Sequence, residues 1–378
     1  MATKQQSGVS RQTDSYTVTS EQARRALKVA FRTQRPAFIW GPPGIGKSEM
    51  VAELTEELGG LMIDLRMAQM EPTDLRGIPF FNKDNGKMDW APPIDLPDEE
   101  TAAQYPIVVL FLDEMNSAAP SVQAAGYQLV LNRRVGKYVL PKNVVIVAGG
   151  NRESDKGVTY RMPLPLANRF LHIEMRSDFI SWQNWAVTHG VHKDVVAYLS
   201  FAKQDMNDTD FAKSATRAFP TPRTWVFVSE ILDEDEKEGM DHDTLFTLVA
   251  GAVGEGLATK FMEYRKIAGK LPNPRSILDG DVTELEVREI SAMYSLTISM
   301  CYELKDVADK KLVDQKKFNG MFDNFLGYMM KNFDDEMIIL GSRIALKTYK
   351  MEIVPQMLTN FLPFHKKYSK YILDTVAN

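Results

Sequence analysis

The sequence predicts an α/β domain built on a parallel sheet over residues 16–176, followed by helices to residue 378. Three observations predict it. Apolar runs of strand length recur at Ala37–Trp40, Leu61–Leu65, Ile107–Leu112, Val144–Ala148 and Leu171–Met175, with helical stretches between them. These runs are continuous rather than alternating, as strands covered on both faces require. From Phe179 onward the spacing turns helical, with Trp182, Trp185 and Ala186 on one face and Val195, Val196, Leu199 and Ala202 on another.

Each element has a local reason. Residues 1–15 are rich in Gln, Ser and Thr and predict a disordered start. Ser20 reads as the N-cap of a helix from Glu21 to Thr33, which Pro36 ends. A second helix runs from Lys47 to Leu58 and stops at Gly59-Gly60. Residues 66–100 are turn-rich, and Asn85-Gly86 signals a hairpin. Phe80, Phe81 and Trp90 flank that turn, where they either grip a substrate or pack the base of their own segment. Val122–Leu131 reads as a helix, and Val135–Leu140 around Gly136 as a second hairpin. Further helices are expected over Thr224–Leu232 and Leu245–Ile267. Pro272-Asn-Pro274 suggests a boundary, so a small helical domain is placed at 177–275 and a helical extension at 276–378.

The chain has 378 residues, more than one hydrophobic core usually serves. Its formal charge of −5 argues against a strongly basic nucleic-acid-binding domain. The single cysteine, Cys301, excludes an intramolecular disulfide and reads as a small buried hydrophobe. No apolar run approaches the roughly 20 residues that a membrane span needs, and the polar Met1–Tyr16 lacks a signal-peptide core. A cytoplasmic protein without membrane partners is expected. His189 and His192 have no evident third metal ligand and read as helix-end histidines, and Trp182 and Trp185 read as core.

One constellation carries chemistry. Gly41-Pro42-Pro43-Gly44-Ile45-Gly46-Lys47-Ser48 fits G-x-x-x-x-G-K-[ST], between a buried strand and a helix. Glycines let backbone N–H groups turn toward phosphate oxygens, Lys47 would reach the β- and γ-phosphates, and the Ser48 hydroxyl would ligate Mg2+. With Glu49 in the first helical turn, Gly41–Glu49 is the expected ATP-binding segment. Val108-Val-Leu-Phe-Leu-Asp113-Glu114 is a buried strand ending in two carboxylates. Asp113 would hold Mg2+ through water, and Glu114 would polarise the attacking water. Val144–Gly150 is a third such strand, and Asn151 after it could orient that water.

With these residues in place, the chain resembles the MoxR-like, helix-2-insert branch of AAA+ ATPases, of bacterial or phage type. The matching stretches are Gly41–Ser48, Pro72–Gly77, Leu112–Pro120, Asn151, Pro165–Phe170 and Phe219–Arg223, within about 20–230. The resemblance implies an AAA+ P-loop sheet with helices on both faces, a helical lid over 177–275, and inserts matching 66–100 and 132–141. It implies a homo-oligomeric ring, usually a hexamer, with ATP between subunits. It assigns Asn151 as sensor 1, Arg169 as arginine finger, and Arg223 as sensor 2, acting in cis or in trans; by the chemistry of its guanidinium alone, Arg161 is a rival finger. The resemblance also implies chaperone-like remodelling of a separate partner protein, in this branch often one with a von Willebrand A domain. The competing readings are an AAA+ motor or loader acting on nucleic acid, which the acidic balance disfavours, and a monomeric P-loop kinase.

Overall fold

A computed structural model describes residues 16–135, 137–152, 160, 162–207, 217–286 and 289–373. The disordered start expected over 1–15, the Gly136 turn and the rival finger Arg161 lie outside these residues. The chain divides into two compact units, Met1–Ser177 and Asp178–Asn378.

The first unit runs β1 (Thr17–Val18), α1 (Ser20–Arg32), β2 (Ala37–Trp40), α2 (Lys47–Glu57), β3 (Leu61–Arg66), α3 (Pro72–Arg76), β4 (Ile78–Asn82) and β5 (Lys87–Ala91). It continues through α4 (Glu99–Ala103), β6 (Val108–Asp113), α5 (Pro120–Asn132), β7 (Arg134–Val135), β8 (Tyr138–Val139), β9 (Val144–Gly150), α6 (Leu164–Ala167) and β10 (Leu171–Met175). Six strands pair in the order β1-β10-β2-β9-β6-β3, all in parallel.

Strand side chains alternate between two faces, and here both faces are apolar. Ile39, Val109, Phe111, Val145 and Val147 pack with Leu27 of α1 and Leu54 of α2. Phe38, Val108, Leu110, Leu112, Val144 and Ile146 pack with Val122, Ala125 and Leu129 of α5. This explains why the runs read as continuous, and it gives the predicted α/β sheet with helices on both faces.

Two local expectations are revised, and one element was not foreseen. The N-cap of α1 is Thr19, not Ser20. The Gln22 side chain accepts the Thr19 N–H at 2.9 Å, and Thr19 Oγ1 accepts the Gln22 N–H at 3.3 Å, a reciprocal box that moves the start by one residue. The short β1, pairing with β10 at the sheet edge, has no pattern long enough to be read from sequence. The single helix expected over Leu245–Ile267 is two helices, described below.

The second unit is helical: α7 (Phe179–Thr188), α8 (Lys193–Phe201), α9 (Pro222–Glu238), α10 (His242–Val253), α11 (Glu255–Ala268), α12 (Pro274–Leu278), α13 (Ile290–Asp309), α14 (Gln315–Asn332), α15 (Asp335–Arg343) and α16 (Phe361–Leu373). Gly254, at φ 91°, separates α10 from α11; its N–H closes the first on Ala250 O, and its carbonyl opens the second. One buried cluster extends from Trp182 to Ile372. The boundary expected near 275 falls inside that unit, where Pro274 opens α12. Cys301 is fully buried, and burial pushes its thiol well above the usual range. His189 stacks on Trp185, and His192 caps α8 while meeting Glu236.

Candidate nucleotide site

The parallel strands bring their C-terminal ends to one edge of the sheet, where open α/β sheets place their ligands. β2 ends there at Trp40, and Gly41 opens the loop to α2. A Cβ on Gly41 would stand 2.7 Å from Met175 O and 2.6 Å from Ile45 Cδ1, so only glycine fits. Gly46, at φ 84°, takes a left-handed conformation that a side chain would strain. Ile45 is buried in the α1–α2 face and anchors the loop, while Pro42 and Pro43 stiffen it. Because Gly46 is the N-cap of α2, no side chain caps that helix start. Its positive end is therefore offered by the backbone alone. Glu49, in the first turn, is exposed.

Lys47 joins the loop to a second strand end. Its ammonium donates to Gly41 O at 2.7 Å, Pro42 O at 3.0 Å and Asn151 Oδ1 at 3.2 Å. Asn151 directly follows β9, the strand between β2 and β6. At the end of β6, Asp113 Oδ1 accepts the Glu114 N–H at 2.9 Å. Glu114 is exposed and held at φ 52°, a strained conformation for a residue with a side chain. The chain then returns to the sheet through the Met115 N–H, which donates to Gly149 O at 3.0 Å.

Two residues without a role assigned from the sequence complete this region. Asn116 is buried, and its Nδ2 donates to Asn151 O at 2.7 Å, tying the turn after Glu114 to the end of β9. Gly150 makes room for it, since a Cβ there would meet Asn116 Oδ1 at 2.3 Å. Asp64 on β3 is raised above the ordinary carboxylate range, first by burial and then by the Asp113 carboxylate. Asn116 lies inside a matched motif, but nothing in the sequence gave it a partner; Asp64 had no signal.

These groups fit a magnesium nucleotide. An uncapped helix start and a lysine suit phosphates. The carboxylates of Asp64 and Asp113 and the Ser48 hydroxyl are the kind of oxygen donors that a hard divalent cation takes.

The two arginines stand elsewhere. Arg169 is exposed in the turn after α6, and its guanidinium has no partner among the described residues. Arg223 is exposed in the first turn of α9, in the second unit. A cation there opposes the helix dipole, and it too has no ion pair among the described residues.

No protein-family profile matches the chain, and no curated protein matches it. Among solved structures, it is similar to a candidate ATPase from Cytophaga hutchinsonii at 13% identity and TM-score 0.31, over 95% of this chain and 89% of that one. It is similar to the RuvB Holliday junction branch migration motor of Thermotoga maritima at 15% identity and TM-score 0.34, over 82% and 86%. It is similar to ADP-bound NtrX of Brucella abortus at 14% identity and TM-score 0.38, over 93% and 68%. The six-stranded parallel sheet, with helices on both faces and a glycine-rich loop between β2 and α2, defines the class of fold as α/β. Among the described residues, no helix is long and apolar enough to cross a membrane.

Proposed function

We propose that this chain is a Mg-ATP-dependent AAA+ ATPase of the MoxR-like type, working as a homo-oligomeric ring, a hexamer in the simplest case. The observation that carries the reading is Lys47, whose ammonium bridges loop carbonyls and Asn151 at the mouth of an uncapped helix. In this mechanism the backbone of Gly41–Ser48 and Lys47 bind the phosphates, with Glu49 beside them in the first turn. Ser48 and Asp113 would hold Mg2+, which when bound neutralises charge on the β- and γ-phosphates. Glu114 takes the proton of a water whose oxygen attacks the γ-phosphorus, the bond to the β–γ bridging oxygen breaks, and ADP and phosphate leave. Asn151 orients that water. Arg169, from a neighbouring subunit, meets charge developing on the γ-phosphoryl group, and Arg223 acts as a second sensor. Lys47→Ala removes the charge that faces the phosphates, so ATP binding by calorimetry should fall below detection. Ordinary affinity in that variant sinks the assignment.

We also infer that the product of hydrolysis is work on a separate partner protein, of which a von Willebrand A domain protein is one form. What supports a protein partner is the β4–β5 hairpin. Its register pairs Phe81 with Met88 and Pro79 with Trp90, so these four share one face, and Phe81 and Met88 are 64% and 69% exposed. Phe80 stands opposite Asp89 on the other face, so the three aromatics do not form a single patch. Lys137 from the second hairpin grips Asp89 at 2.6 Å and holds its carboxyl below the usual range. Surface changes of this kind usually move stability by less than about 0.5 kcal/mol. Phe81→Ser with Met88→Ser should therefore leave melting and basal hydrolysis unchanged and abolish partner-stimulated turnover. Early melting would make the face structural instead.

A further inference from the structure

One contact at the strand that feeds the phosphate loop is unused by this mechanism. Trp40, the last residue of β2 and the neighbour of Gly41, donates its indole Nε1–H to His172 Nδ1 at 2.8 Å. The other imidazole nitrogen, Nε2, lies 2.8 Å from Ala167 O. An indole nitrogen can only donate, so Nδ1 must accept. The ring proton therefore sits on Nε2 and is donated to Ala167 O. That same carbonyl accepts the Phe170 N–H at 3.2 Å, closing the turn in which Arg169 stands. Rings back the strut: Phe38 stacks on Trp40 at 4.1 Å, and Phe170 packs edge-on against Phe38 at 5.4 Å.

We propose that His172 is a positioning residue that fixes the Arg169 turn against the phosphate-loop strand, so that the arginine is presented in one orientation. The proposal rests on the reading of Arg169 as the residue that completes a neighbour's site. The chain of contacts is short: the strand end before the loop, one imidazole, and the carbonyl that closes the arginine's turn. His172 touches no reacting atom. Its effect must pass through Arg169, and that gives it a signature that a general packing role lacks.

The test is steady-state ATP hydrolysis by the full chain, assembled with ATP. His172→Phe keeps a ring and removes both polar links. Neutral hydrogen bonds at a water-exposed site are individually modest, so kcat should fall about tenfold while KM for ATP stays within about twofold. Two further variants separate the links. His172→Gln carries an amide N–H at the reach of Nε2 and should keep most of the rate. His172→Asn keeps an acceptor near Nδ1 but cannot reach Ala167 O, and should behave like His172→Phe. This pair also carries the test where the Phe variant does not fold. In an Arg169→Ala background, His172→Phe should change nothing further, because coupled residues do not add. Wild-type kcat in His172→Phe overturns the proposal. So does an equal loss in the Arg169→Ala background, or rescue by Asn in place of Gln. If Arg169→Ala itself keeps the wild-type rate, the arginine-finger reading has failed first, a separate and recognisable result.

Discussion

The helices α2 and α9 begin in opposite ways. α9 closes its own N-terminus: Thr221 Oγ1 accepts the Thr224 N–H at 3.1 Å, and Thr224 Oγ1 accepts the Thr221 N–H at 2.8 Å. α2 begins at Gly46, which has no side chain to do this. Both helices then place a cation in the first turn, Lys47 in one and Arg223 in the other, against the dipole. The difference teaches what a helix start is for. A capped start is satisfied within the chain and needs nothing else. A bare glycine start leaves its donors to water, as the Gly254 start of α11 can, or to a ligand; at α2 the lysine beside it favours an anion.

The largest expected effect concerns another region with an uncapped helix start, α6 and the turn after it. Like α2, α6 has no side-chain cap, and Arg169 follows it exposed and without a partner among the described residues. If the site is shared between subunits, Arg169→Ala should cost about 10³–10⁵ in hydrolysis while ATP still binds. Mixing gives the stringent form. Arg169→Ala keeps Lys47, and Lys47→Ala keeps Arg169, so each is inactive alone. Verified mixed rings should regain partial activity at interfaces that join an intact loop to an intact arginine. Silent mixed rings, with active mixtures of wild type and either variant, would remove Arg169 from the interface.

Glu114 sharpens the contrast within the first unit. Its backbone sits at φ 52°, a cost that the sheet around it must sustain. Glu114→Gln retains that backbone and the side-chain shape and loses only the base. Hydrolysis should fall about 10²–10⁴-fold with ATP affinity retained. Phosphate release measured beside calorimetry separates the two. Near-normal turnover would move the base elsewhere and leave the strain at Glu114 without a function.

Much of this was legible in the sequence because its signals are local. A phosphate loop needs glycine at fixed spacings, so Gly41–Ser48 could be singled out as the candidate from sequence alone. The strands of the sheet are apolar on both faces, and their runs were located to within one or two residues. The long-range pairings were not legible. Asn116 reaches Asn151 across 35 residues, and Trp40 reaches His172 across 132. No periodicity encodes such a contact, since it depends on which strands become neighbours. The split at Gly254 was missed for a different reason: the apolar spacing continues through it, and only the glycine's conformation breaks the helix. The division near 275 was read from two prolines, yet a proline suits the first turn of a helix, and Pro274 serves there.

The smallest effect tests the comparison most directly. Thr221→Ala removes the cap of α9 and should destabilise the second unit by about 0.5–2 kcal/mol. Its denaturation midpoint should fall while ATP affinity stays unchanged, because the cap serves only the helix. Gly46→Ala is the matched change at α2. A Cβ there meets nothing within 4 Å, so no clash arises. The cost is the left-handed backbone, on the order of 1–2 kcal/mol. Relief of that strain must rotate the N–H groups at the start of α2 away from the phosphates. Two variants of similar stability cost should thus separate by function: Gly46→Ala loses ATP affinity and Thr221→Ala does not. Equal affinities in both would mean that the bare start of α2 is only a turn. Loss of affinity in both would mean that the cap of α9 also supports the role proposed for Arg223, and is not confined to the helix.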